Sequence, residues 1–363
     1  MRARSTLHKL IFTVLLGGLL LGCESHSPLV QYKGQVMGTT WSASVVLPRG
    51  AEAARYQEPL QGVLDDINGK MSTYQEDSEL SRFNQLKKAA CLPVSNDTLT
   101  VAKTALNLSE QSQGAFDVTV GPLVNLWGFG PEARPIKRPS EEALEAARQH
   151  SGYQKLYIEG SQLCTRQVGL YVDLSAIAKG YAVDAAAQYL LEQGVEHFLI
   201  EVGGELYAHG KKPSGEHWRI GIERPVVGER NVFEKAIVEL DNQGIATSGG
   251  YRNFYEVDGV RYSHTIDPRT GEPIRHHLAS VTVMAPSAML SDGWATALMV
   301  LGPQNGLKLA QELDFPVFML IKHEGDFEPR YNAAFRAQFP ALVKTAQKTP
   351  KELDQTDPVE AQP

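Results

Sequence analysis

The sequence predicts an α+β fold, and three observations predict it. Helix-period and strand-period segments do not alternate strictly, as a doubly wound parallel sheet would require. Several short runs alternate apolar and polar residues between turn residues. Residues 31–345 contain neither a repeat nor a low-complexity linker, so they suit one large domain or two intimately packed α/β lobes with mixed sheets. In chain order, Gln31 to Leu47 reads as a strand or hairpin. Ser140 reads as the N-cap of a helix over Glu141–His150. Ala178 to Glu192 is a helix stopped by Gly194, and Met289 onward is an apolar helix closed by Gly302-Pro303. Leu156–Ile158, Tyr171–Leu174, Phe198–Val202, Trp218–Ile222, Ala236–Leu240 and Ala279–Ala285 read as strands.

The ends of the chain are organised differently. Residues 1–22 read as a secretory signal: Arg2, Arg4 and Lys9 precede an apolar run, Leu10 to Leu21, far short of the roughly 20 residues of a membrane-spanning helix. That run ends in Leu20-Leu21-Gly22-Cys23, which resembles the lipobox of a bacterial lipoprotein. The alternative is a plain signal with a chance cysteine. Cleavage before Cys23 and its acylation would give a lipid anchor on the periplasmic side of the membrane, followed by a polar tether over residues 23–30. Glu24 permits outer-membrane sorting. Residues 346–363 are rich in Lys, Glu, Asp, Gln and Pro and read as a disordered tail.

The full chain carries a net charge of −7, and loss of the three cations in residues 1–22 takes it to −10. With no basic block and no aromatic-basic interleaving, the composition argues against nucleic-acid binding, so any phosphate chemistry must be local. Beyond Cys23 only Cys91 and Cys164 remain, without the spacing of a zinc or redox motif. They either pair in an oxidising compartment or stay as free thiols, and Cα geometry decides which.

Three segments carry candidate chemistry. Asp292 and Thr296 are four residues apart on one helix, which places a carboxylate and a hydroxyl on the same face. Two hard oxygens so placed suit Mg²⁺, although an aspartate near a helix start also complements the helix dipole. Val172-Asp173-Leu-Ser-Ala-Ile-Ala-Lys179-Gly180 reads as a strand turning into a helix, a junction where amides and a lysine meet phosphates; the alternative is an ordinary connection capped by Asp173. From Gly244 to Pro273, Gly249-Gly250 allows close backbone approach, Arg252 and Arg269 can bind anions, and His264 has the proton affinity of a general base. Tyr74, ahead of a helix capped by Asp77, sits where it could stack on a planar ring.

The order of the motifs carries more than any one of them. Val36-Met-Gly-Thr39, Met71-Ser-Thr-Tyr74 with Asp77-Ser-Glu79, Phe116-Asp-Val-Thr-Val-Gly-Pro122, Asp173 to Gly180, Glu201-Val-Gly-Gly204, Thr247-Ser-Gly-Gly-Tyr251, His264-Thr-Ile-Asp-Pro268 and Asp292-Gly-Trp-Ala-Thr296 together resemble the ApbE family of FAD:protein FMN transferases, from Gly34 to about Leu320. The resemblance implies that Met37, Tyr74, Ala115, Phe116, Asp117, Asp173, Lys179 and Ile266 contact FAD, with Arg252 adding charge. It implies Mg²⁺ on Asp292, Thr296 and the backbone oxygens of Ala176 and Ala295. It further implies His264 near the reacting phosphate, and FAD as a substrate split into AMP and protein-bound FMN. The implied acceptors are inner-membrane flavoprotein subunits of respiratory complexes, modified on a Ser or Thr hydroxyl, and they argue for the inner membrane as the one that holds the lipid anchor. The rival readings are an FAD pyrophosphatase and a flavin-binding lipoprotein without chemistry.

Overall fold

The computed structural model describes residues 28–130, 138–226, 231–250, 254–257 and 260–346. Its centre is an eight-stranded sheet whose strands lie side by side in chain order: β1 (Leu29–Val36), β2 (Thr39–Val46), β3 (Phe198–Val202), β4 (Glu205–His209), β5 (Gln243–Gly249), β6 (Leu278–Ala285), β7 (Val317–His323) and β8 (Asp326–Tyr331). The α+β expectation holds. The expectation of mixed sheets narrows, because every strand pairing among the described residues is antiparallel. Sequence-adjacent strands join by tight turns (β1–β2, β3–β4, β7–β8), while the long insertions return the chain to the next position in the sheet running the opposite way.

Period-two patterning sends alternate side chains to two cores. On β7, Val317 and Met319 join a core under the helices, whereas Phe318 and Leu320 join one on the opposite face with Phe233, Met284 and Phe335. Four helices cover the first face: α1 (Ala54–Met71), α2 (Asn96–Gln111), α3 (Ala178–Glu192) and α4 (Ala288–Ala310). The second face is closed by the hairpin Trp218–Glu223/Val232–Leu240 and by the helix Ala333–Gln338. Among the described residues no helix is long and apolar enough to cross a membrane.

The helix α3 begins and ends where its pattern predicts, and Ser140 caps Glu141–Gln149 by accepting from the Ala143 amide. Four local readings change. Tyr171–Leu174 is not a strand. The Asn84 side chain accepts from Val172 N and donates to Val172 O, both at 2.8 Å, so it satisfies the extended backbone in place of a neighbouring strand. The helix after Tyr74 is capped by Ser78, whose hydroxyl accepts from Ser81 N, rather than by Asp77. Asp173 does not cap α3, whose N-cap position is Ile177; its carboxylate accepts from Ser175 N within the preceding turn. Helix α4 does not stop at Gly302-Pro303 but kinks there, Gly302 adopting φ 76° before helical structure resumes.

Cys91 and Cys164 pair. They face each other on adjacent short strands, Cys91–Pro93 and Gln162–Thr165, with Cα atoms 3.9 Å apart, and form a disulfide. It closes a loop of 73 residues that includes the segment Ala115–Asp117. Replacing both cysteines by Ser should lower unfolding free energy by about 4 kcal/mol, read as a lower denaturant midpoint with a steeper slope, because the unfolded chain is no longer cross-linked.

Helix α3 crosses α4 unusually closely at Gly180. A Cβ placed there would lie 2.4 Å from the Ala288 carbonyl oxygen, and this contact brings Gly180 N within 3.1 Å of Asp292 Oδ2, to which it donates. Nearby, Asp184 accepts from the amides of Ala288 and Met289 at the start of α4, tying the helices together a second time. Gly180→Ala should therefore force α3 off α4 and cost about 1–3 kcal/mol, read by thermal melting.

Candidate active site

One cleft of about 440 Å³ opens between the helical face of the sheet, the loops that follow α1 and α2, and the segment 264–266. Its wall includes Tyr74, Ala115, Phe116, Asp117, Asp173, Ala176, Lys179, His264, Ile266, Asp292 and Thr296, so the structure gathers eleven of the residues selected from sequence. These come from five separate stretches of the chain. Met37 is not part of that wall; it occupies the β1–β2 turn with φ 50°, half-buried. Ala295 is fully buried on α4 and does not line the cleft either. Arg252 and Cys23 lie outside the described residues.

Each elevation in the cleft has a local cause. Tyr74 is 78% exposed on the loop after α1, a placement that leaves a large aromatic face in solvent at the rim. Opposite it, Ala115 to Val118 form an irregular, buried segment held by Asp117. The Asp117 carboxylate accepts from Thr119 N (2.8 Å), Thr119 Oγ1 (2.6 Å) and Tyr153 N (2.9 Å), so it is engaged by its own chain. Burial pushes its acidity toward higher pH, and those hydrogen bonds counter the push. Asp117 thus shapes the wall of the cleft through the backbone it holds. Glu79, in the motif after Tyr74, likewise serves the scaffold: it accepts from Ser95 N, Ser95 Oγ and Thr98 Oγ1 at the start of α2.

At the floor lies a charge cluster. Asp292 is 4% and Glu205 7% exposed, and Lys179 stands between them, its Nζ 3.8 Å from Asp292 Oδ2 and 3.4 Å from Glu205 Oε1. Burial raises both carboxyls above the usual range, against the pull of the Lys179 charge. Burial would lower the Lys179 ammonium, but the charges of Asp292 and Glu205 outweigh it and hold the lysine protonated. One turn along α4, Thr296 Oγ1 lies 3.2 Å from Ser248 Oγ on β5. Asp292 and Thr296 therefore do share one face of α4, turned into the cleft, as their spacing predicts.

Two groups here escape sequence reading. Glu205 falls one residue beyond the Glu201-Val-Gly-Gly204 motif, and Ser248, inside the Thr247-Ser-Gly-Gly-Tyr251 motif, is given no role by it. Both reach the cleft because β4 pairs with β5 beneath α4, a long-range pairing without a local signature. His264 stands at the other end, its ring edge-on to Phe129 at 6.3 Å between centroids. Arg269 does not face this cleft; its guanidinium is bound by Asp267, with Nε 2.9 Å from Oδ1 and an Nη 2.7 Å from Oδ2. Among the described residues, the one cluster of Cys, His, Asp and Glu atoms close enough for a conventional metal site is Cys91, Glu159 and Cys164, and its sulfurs are committed to the disulfide.

The family model described as the ApbE family matches residues 37–319. The chain belongs to that family. A relative from Vibrio cholerae, named FAD:protein FMN transferase, is 47% identical over 319 residues, covering 88% of this chain and 95% of the relative. The solved structure of the flavin transferase ApbE from Vibrio cholerae superposes with a TM-score of 0.79 at 45% identity, over 86% of this chain and 100% of that one. The apo form of the Pseudomonas stutzeri flavinyl transferase ApbE superposes with 0.80 at 42% identity, over 86% and 97%. The cleft of this ApbE-family chain thus sits on a fold shared nearly end to end with those proteins.

Proposed function

We infer that this chain is an FAD:protein FMN transferase that attaches the FMN half of FAD to a Ser or Thr hydroxyl of another protein and releases AMP. The observation that supports this most strongly is the gathering, in one cleft of a chain of the ApbE family, of an exposed aromatic rim, a lysine on a buried carboxylate pair, and a histidine.

The donor set on α4 fits Mg²⁺. A buried carboxylate and a hydroxyl one helical turn apart offer hard oxygens, and beside them Lys179 is the single cation facing two carboxyl groups, with Glu205 Oε2 buried without a hydrogen-bond partner. Asp292, Thr296 and the backbone oxygens of Ala176 and Ala295 would hold the ion. When bound, such an ion neutralises diphosphate charge and charge developing on the AMP leaving group.

The chain's own groups do the rest. Tyr74 offers its face to the planar flavin or adenine ring. Lys179 places a fixed positive charge toward the phosphates, in a site dry enough for it to act strongly. His264 accepts the proton of the acceptor hydroxyl while that oxygen bonds to the FMN-side phosphorus and the bond to the AMP oxygen breaks. The product is a phosphodiester between flavin and protein, and FAD is consumed as a substrate. Acceptors of this chemistry are flavoprotein subunits of respiratory complexes at the inner membrane, within reach of an enzyme lipid-anchored at Cys23 on the periplasmic side.

AMP release from FAD in the presence of Mg²⁺ and an acceptor should fall about 10³-fold in Asp292→Ala and about 10²- to 10⁴-fold in His264→Ala. The exposed control Val168→Ser should match wild type. Equal loss in the control, or no loss in Asp292→Ala, would remove the site from the reaction. Fractionation tests the anchor: Cys23→Ser should move the protein from membranes to the soluble fraction, and a variant still membrane-bound would contradict lipidation.

A further inference from the structure

Glu205 has no assigned part in the reaction, yet its placement is costly. The β3–β4 turn uses Gly203 at φ 62° and Gly204 at φ 107°, a conformation that delivers Glu205 to the first position of β4 with its side chain in the cleft. Oε1 faces Lys179 Nζ at 3.4 Å, and Oε2 is buried with no hydrogen-bond partner among the described residues. A carboxylate serving only stability would have both oxygens satisfied, since an unpaired buried charge opposes folding.

Lys179 explains the arrangement. Its Nζ is held by three oxygens on different elements: Glu205 Oε1 at 3.4 Å, the Ser175 carbonyl at 3.3 Å and Asp292 Oδ2 at 3.8 Å. The contact with Asp292 is the longest of the three. An ammonium is a compact charge on a flexible stem, and without Glu205 it would close on Asp292, its remaining buried counter-charge. A lysine in contact with Asp292 would compete there with any divalent cation, because both seek the same negative charge in a low-dielectric site. We propose that Glu205 is a positioning residue: its carboxylate holds Lys179 off Asp292, leaving Asp292 to a divalent cation while keeping the ammonium directed at the substrate diphosphate. This deepens the transferase reading and rests on its assignment of a cation to Asp292 and Thr296.

The test is Mn²⁺ binding to the full folded protein without FAD, followed by the electron paramagnetic resonance signal of free Mn²⁺. Glu205→Gln should weaken binding by about tenfold or more, the usual scale for a residue supporting a metal ligand. Lys179→Met should bind at least as tightly as wild type. The decisive comparison is the double variant Glu205→Gln/Lys179→Met, which should bind as Lys179→Met does, because the competitor for Asp292 is gone. General damage to the fold would not be rescued by removing a second residue. Unchanged binding in Glu205→Gln would overturn the proposal. So would equal weakening with or without Lys179, which would make Glu205 a direct ligand. Metal-free melting curves report folding; should Glu205→Gln fail to fold, Glu205→Asp, which withdraws the carboxylate by one methylene, is read in the same way. Absence of Mn²⁺ binding in wild type would contradict the cation assignment itself, and this inference would fall with it.

Discussion

The close crossing of α3 over α4 at Gly180 is the constraint on which the site depends. A helix pair normally stands apart by the width of its side chains. Here Gly180 lets one backbone touch the other, and its amide donates to the buried Asp292 carboxylate. The same crossing sets Lys179, one residue earlier, beside that carboxylate. Burying two acids beside one lysine carries a desolvation cost that only well-fixed partners offset. The cluster persists because each charged group is anchored to a regular element: Asp292 to α4, Lys179 to α3, Glu205 to β4.

The sheet supplies the rest of the geometry. Strands that lie in chain order present β4, β5 and β6 beneath α4, so residues from widely separated parts of the chain open into one cleft. The insertions between sheet strands form the other walls. Between β2 and β3 come the Tyr74 loop and the Ala115–Asp117 segment; between β5 and β6 come His264 and Ile266. Division of labour follows: the sheet and its helices fix Lys179, Glu205 and Asp292, while the inserted loops bring Tyr74 and His264 to the same cleft.

Legibility in the sequence tracked how local each feature is. The spacing of Asp292 and Thr296 is a property of one helix, and the helix exists as read. Lys179 at the start of α3 was legible for the same reason. The pattern of Tyr171–Leu174 suggested a strand because its backbone is extended, but extension and pairing are separate facts, and a side chain, Asn84, takes the partner's place. The resemblance implies that Asp117 contacts FAD; that its carboxylate also accepts from Thr119 and Tyr153 and so fixes the cleft wall is visible only in tertiary contact. Glu205 and Ser248 were missed because their exposure to the cleft is decided by strand pairing across dozens of residues. The disulfide stood open for the same reason until two short strands placed Cys91 opposite Cys164.

In a transfer, one phosphorus leaves AMP and arrives on a protein oxygen. Its most direct measurement is the ratio of AMP released to flavin covalently retained on the acceptor, by intact-mass spectrometry after denaturation. One AMP should appear for each FMN-sized mass increment on the acceptor, with little free FMN. AMP matched by free FMN, on an acceptor of unchanged mass, would contradict it.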